Sequence, residues 1–258
     1  MTTLRPGLVG LIPAAGRATR LGERPQSKEV LPLGTAASGA PRLVCHDLLA
    51  NYREAGVERA FVVLREGKWD VPAALGDGRA CGLDLAYLVV PPTAGVPFTL
   101  DRAHPFVRGQ EVALGFPDIL LAPHDLLARL RAHHHAGSAE VSLALVPCDR
   151  PAASDLVEID ASGRVVRFEI KPRTPTLTLT WVLAILSPRF TDFLHEWVAA
   201  ESHRAIARGR EAYVGDVFAD AIAHGLPISG LVLPDGRSLD IGTPDSLARA
   251  AAGNWASG

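Results

Sequence analysis

Lysine is scarce in this chain. Of 26 basic residues among 258, only Lys28, Lys68 and Lys171 are lysine, and the rest are arginine. Where a surface cation suffices the chain uses arginine, so each lysine marks a place where a compact ammonium is favoured over a planar fork. Cysteine is rare too: Cys45, Cys81 and Cys148 stand far apart, with neither metal nor disulfide spacing, which points to a reducing, cytoplasmic setting. A formal charge of −2 lacks the basic field that nucleic acids require. No apolar run approaches a membrane span, and Met1 to Pro6 opens no signal-peptide core. Neither nucleic acid nor membrane is therefore expected as a partner. G-x-S-x-G, H-E-x-x-H and G-x-x-x-x-G-K-[ST] are all missing, which removes common hydrolase and P-loop readings.

What is present is globular. Hydrophobic content of 48% and charged content of 21% suit a folded chain long enough for one α/β domain over 1–258. Apolar runs at Leu8–Ile12, Ala60–Leu64, Leu83–Val90, Glu111–Gly115 and Val141–Val146 read as strands. Helical spacing occupies Leu43–Ala55, Pro123–Ala136, Pro188–Glu201, Val217–Ala223 and Pro244–Ala252, with one short helix over Thr99–Val107. Ala161-Ser162-Gly163 reads as a hairpin turn between Leu156–Ile159 and Arg164–Ile170, Leu177–Leu186 is strand-like, and Leu231–Leu233 is the last strand expected. His133, His134 and His135 close a helix and point in different directions, complementing its C-terminus. The alternation predicts a three-layer α/β/α fold, Rossmann-like, with a mostly parallel mixed sheet and ligands at the carboxyl ends of its strands.

The chemistry gathers in Leu8–Leu33. A buried strand opens into Ala14-Ala15-Gly16, where backbone can approach a ligand, followed by Arg17, Arg20 and Lys28. Small residues and cations after a strand suit a polyanion such as a nucleoside triphosphate. Ala15-Gly16-Arg17-Ala18-Thr19-Arg20-Leu21, then Ser27-Lys28-Glu29-Val30-Leu31-Pro32, resembles the signature of sugar-phosphate nucleotidyltransferases, A/G-G-x-G-T-R-L followed by P-K-x-L-L-P. The opening Ile12-Pro13-Ala14-Ala15-Gly16 and the Lys28-Glu29 pair lean toward the uridylyl branch of the glucose-1-phosphate enzymes. Ala18 replaces the second glycine, and Ser27 the proline.

The resemblance runs from Ile12 to Leu247. It implies a GT-A-like nucleotidyltransferase fold, with a nucleotide part over about 7–136 and a sugar-phosphate and metal part over about 137–252. It implies Mg²⁺ as cofactor, held by Asp118 and by Asp240 of Asp240-Ile241-Gly242-Thr243-Pro244. Arg20 and Lys28 would neutralise the triphosphate, and Ala14 to Thr19 would carry the nucleotide. Lys171 matches the lysine of an E-K-P element that reaches the sugar phosphate. Ile170 stands where that element has its hydroxyl-binding glutamate, leaving Glu169 one residue away. Val90 occupies the position of the base-reading glutamine, five residues before Gly95. Glu211 and Asp216 resemble an E-x-x-x-x-D element near the sugar.

The activity implied is formation of an NDP-sugar and pyrophosphate from dTTP or UTP and a sugar 1-phosphate, in a chain that could self-associate. The substitutions at Ala18, Ser27, Val90 and Ile170 favour a second reading, a binding or regulatory protein that kept the fold without turnover. A third is cytidylyl transfer to a polyol or choline phosphate.

Overall fold

A computed structural model describes residues 7–16, 26–35, 39–201, 211–253 and 255. The chain opens with β1 (Leu8–Pro13), a 3-10 turn over Lys28–Val30, and two short strands, β2 (Pro32–Thr35) and β3 (Pro41–Leu43). There follow α1 (His46–Glu54), β4 (Arg59–Arg65), α2 (Asp70–Leu75) and β5 (Asp84–Val90). The expected helix over Thr99–Val107 is two short ones, α3 (Val96–Asp101) and α4 (His104–Val107), each with proline in its first turn, where the missing N–H costs nothing.

The chain continues through β6 (Glu111–Gly115), β7 (Ile119–Ala122), α5 (Leu126–Ala136), β8 (Val141–Pro147), β9 (Asp155–Ile159), β10 (Val165–Ile170) and β11 (Leu179–Leu186). It closes with α6 (Pro188–Glu201), α7 (Val214–Ala223), β12 (Ile228–Val232), β13 (Arg237–Asp240) and α8 (Pro244–Ala251). Sequence reasoning missed β7 and β13, four residues each, which pair antiparallel with each other.

Among the described residues nine strands form one mixed sheet, with a central path of β10-β9-β11-β6-β1-β4-β5, with β8 also pairing β11 and β12 pairing β8. β1 pairs in parallel with β4 on one side and β6 on the other, and β4 continues in parallel to β5. The chain thus winds outward through β4 and β5 and returns across β1 to β6. That reversal makes the carboxyl end of β1 a switch point, where such sheets leave a crevice. From β6 onward pairing becomes antiparallel through β11 to β8 and β9, and β9–β10 is the expected hairpin.

Apolar side chains fill both faces. Phe98 and Leu100 of α3, Phe190 and Trp197 of α6, and Val217 and Phe218 of α7 cover one; Leu48 and Tyr52 of α1, Val71 of α2, and Leu127 and Leu130 of α5 cover the other. Three layers result. The histidines closing α5 do diverge: His133 meets Ser229 at 3.2 Å, His134 meets Ser142 at 2.8 Å, and His135 meets Glu111 at 2.9 Å.

Tyr52 ties the helical layer to the strands that frame the crevice. Its buried hydroxyl lies 3.0 Å from the carbonyl oxygen of Leu11 in β1 and 2.8 Å from that of Ala113 in β6. Its ring fits because Gly10 has no side chain: a Cβ there would stand 2.5 Å from the ring and 2.6 Å from the Cβ of Ala60. Tyr52→Phe keeps the ring and removes the hydroxyl, and with it a buried hydrogen bond between helix and strands. Urea unfolding should show a loss of about 1–3 kcal/mol.

Candidate active site

The loop after β1 is launched from a fixed point. Ala14 donates its N–H to Val63 O at 2.8 Å, extending the parallel ladder one residue past Pro13. Ala14 itself is buried, whereas Ala15 and Gly16 reach a cavity of about 1130 Å³. Arg17, Ala18, Thr19 and Arg20 lie outside the described residues.

Lys28 enters the same cavity from the 3-10 turn, and its ammonium donates to the carboxylate of Asp118; both side chains are 16% exposed. Burial alone would lower the lysine pKa. The charge of Asp118, its hydrogen bond, and the charges of Glu29 and Asp240 outweigh burial and raise it. The ammonium is firmly charged.

Asp118 sits just before β7, and Phe116-Pro117 does not turn it out of the cavity. Asp240 ends β13, opposite Ile119, and Ile241 donates its N–H to Asp118 O at 2.9 Å. The small β7–β13 ladder therefore brings both aspartates, distant in sequence, to one wall. Asp240 lines the cavity too.

Lys171 follows β10 with φ of 42°, the one non-glycine positive φ among the described residues, and donates its N–H to Ser154 O at 3.1 Å. A long side chain in the left-handed region is held there by its surroundings. Its ammonium lies 3.4 Å from the centroid of the Tyr213 ring, a cation–π contact on the cavity wall. Gly95, also on the wall, has φ of 145°, and a Cβ there would meet Ala212 O at 2.4 Å. The glycine lets the Ala212 segment pass, which brings Glu211 to the cavity.

Three other expected residues are placed elsewhere. Val90 packs into the core at 8% exposure. Asp216 caps α7, accepting the Tyr213 N–H at 2.9 Å. Glu169 is occupied by its own strand and loop: its carboxylate accepts from the Thr176 hydroxyl, from the Thr176 N–H at 2.9 Å and from Arg167 at 2.9 Å.

Three residues at or behind the cavity wall carry no signal of their own in the sequence. Lys68, though noted as scarce, was assigned nothing; its ammonium donates to Glu29 at 2.6 Å and to the Ala14 carbonyl at 2.7 Å. Burial pushes the pKa of Lys68 down and that of Glu29 up, and their mutual attraction only partly offsets it. Asp155 lies directly across the hairpin from Ile170 and lines the cavity beside Thr180 and Trp181. Opposed residues share a face, so a carboxylate stands on the face that Ile170 leaves apolar. Arg65, register partner of Val90, also reaches the cavity. The departures at Ile170 and Val90 were the available signal, but only strand register shows what stands opposite them.

Fold and cavity together define an open-sheet α/β protein whose switch-point crevice gathers lysines and carboxylates. A family profile described as "Nucleotidyl transferase" matches residues 9–255, and the chain belongs to that family. It is 28% identical over 191 residues to the glucose-1-phosphate thymidylyltransferase of Streptomyces antibioticus, covering 74% of this chain and 51% of that one. It is 24% identical over 247 residues to the low-salt glycan biosynthesis nucleotidyltransferase Agl11 of Haloferax volcanii, covering 93% and 64%. The chain thus spans about half to two-thirds of the length of these curated relatives. A crystal structure described as a glucose-1-phosphate thymidylyltransferase from Bacillus anthracis, in complex with sucrose, shares the fold with a TM-score of 0.80 at 18% identity, covering 95% and 94% of the two chains. No helix of the described residues is long and apolar enough to cross a membrane.

The Glu169 contacts hold its pKa down to about 2, chiefly through the Thr176 hydroxyl and N–H, with a smaller contribution from Arg167. A depressed carboxylate stabilises the fold above its unfolded value. That contribution is lost as pH falls from about 4, the ordinary glutamate value, to about 2. Thr176→Val should therefore raise the Glu169 pKa, read by carboxyl NMR titration, so that this loss becomes smaller and is complete at a higher pH.

Proposed function

We propose that the chain is a metal-dependent nucleotidyltransferase that makes an NDP-sugar and pyrophosphate from a nucleoside triphosphate and a sugar 1-phosphate. One observation carries the reading: Lys28, Asp118, Asp240 and Lys171 converge on a single cavity at the switch point of the sheet. In this reaction a phosphate oxygen of the acceptor attacks the α-phosphorus and the bond to pyrophosphate breaks. Both reactants are anions, so charge neutralisation and alignment are the enzyme's main tasks.

Asp118 and Asp240 suit Mg²⁺ in donor chemistry, since that ion takes one or two carboxylates and completes its shell with phosphate and water. They would hold it, and it would neutralise charge between the two reactants. Lys28, beside Asp118 on the same wall, stabilises the phosphates of the leaving group. Lys171, held over Tyr213, takes the acceptor phosphate. Asp155, beside Thr180 and the ring of Trp181, accepts from sugar hydroxyls in place of the residue missing at Ile170. The thymidylyltransferase relatives favour dTTP, and the uridylyl-like opening motif keeps UTP beside it. A binding protein without turnover is the alternative, favoured by Val90, whose buried apolar side chain offers a base edge no hydrogen bond.

Pyrophosphate release with Mg²⁺, each nucleoside triphosphate and a panel of sugar 1-phosphates separates the two. We expect release with one preferred pair. Asp240→Ala should cut it by more than about 100-fold, since loss of an outer partner alone typically costs 10–100-fold. Asp155→Asn should raise the KM for the sugar phosphate about tenfold and leave that for the nucleotide unchanged. Nucleotide binding without release from any pair would establish the binding protein instead.

A further inference from the structure

The turn that carries Lys28 is gripped on both flanks by one segment, Lys68-Trp69-Asp70, where β4 runs into α2. Before Lys28, Ser27 donates its N–H to Asp70 Oδ2 at 2.5 Å and its hydroxyl to Oδ1 at 2.9 Å. After Lys28, Glu29 Oε1 accepts from Lys68 Nζ at 2.6 Å. That ammonium also donates to the Ala14 carbonyl at 2.7 Å, at the root of the loop leaving β1. Two residues of this segment, Lys68 and Asp70, thereby fix both the loop root and the turn that presents the cavity cation.

Stability alone does not call for this arrangement. The side chains of Lys68 and Glu29 are 4% and 3% exposed, and a buried ion pair is often no better than well-packed apolar residues of like volume. Among the described residues the buried Glu29 Oε2 meets no donor, so the pair carries a cost there. What the pair secures is geometry, a definite spacing between the Ala14 carbonyl and the residue after Lys28. Ser27 tells the same story: its φ of −63° and ψ of 139° are angles a proline would adopt unaided. A serine has no ring to enforce them, and the two hydrogen bonds to Asp70 do so instead. Proline, with no N–H, could make neither bond.

We propose that Lys68 and Asp70 are positioning residues that aim the Lys28 ammonium at phosphate, with Asp70 imposing through hydrogen bonds the backbone angle that a proline ring would impose covalently. The inference rests on the reading of Lys28 as a phosphate ligand. Neither Lys68 nor Asp70 needs to touch substrate; both act through the turn.

The test is a double-mutant cycle on the whole chain, with inorganic pyrophosphate and Mg²⁺ as the calorimetric probe and melting curves to confirm folding. Asp70→Ala should weaken binding about tenfold in the wild-type background and less than about twofold beside Lys28→Met, because residues acting through one another are not additive. Asp70→Asn, milder, should fall between. Ser27→Pro should recover most of the loss in Asp70→Ala, a rescue that a merely structural aspartate would not show. Equal losses in both Lys28 backgrounds, or no loss with Asp70→Ala in a folded chain, would overturn the clamp. No binding by wild type, or unchanged binding by Lys28→Met, would overturn the phosphate reading and the clamp with it.

Discussion

A cation and an anion held together on the cavity wall, Lys28 and Asp118, set the terms for everything around them. Burial works against the ammonium, yet Asp118, Glu29 and Asp240 keep it charged. With Glu29 paired to Lys68, one ammonium beside Asp118 and Asp240 leaves negative charge that, on the proposed reading, a divalent ion would balance, and a triphosphate would then draw the ammonium off its aspartate.

The fold supplies the convergence by unrelated routes. The parallel winding about β1 opens the crevice and delivers Ala15 and Gly16. A two-stranded ladder beside the main sheet brings Asp118 and Asp240 to it, and the β9–β10 hairpin delivers Asp155 and Lys171. The helical layers hold these strands rigidly, as Tyr52 does by reaching carbonyls of both β1 and β6. Catalytic geometry on strand ends, over a core packed on both faces, tolerates variation in the loops while the cations and carboxylates stay in place.

Long periodic segments were legible in the sequence because a single physical signal dominates them: β1, β4, β6 and α6 emerge close to their expected bounds. β7 and β13 were not, since each is four residues long and stable only against its distant partner. In the site, Lys28, Asp118, Lys171, Glu211 and Asp240 reach the cavity on motif spacing alone. Glu169 and Asp216 carry the right chemistry, but loop contacts and a helix cap hold them. Lys68 and Asp155 illustrate the opposite case. Their meaning depends on a partner across the sheet or loop, and no local pattern encodes register.

The most direct test is a crystal structure of the chain with Mg²⁺ and a non-hydrolysable thymidine triphosphate analogue. The account predicts one ion between Asp118 and Asp240, and Lys28 released from Asp118 onto a phosphate. An analogue bound elsewhere, or bound with Lys28 still paired to Asp118 and no ion at the two aspartates, would contradict it.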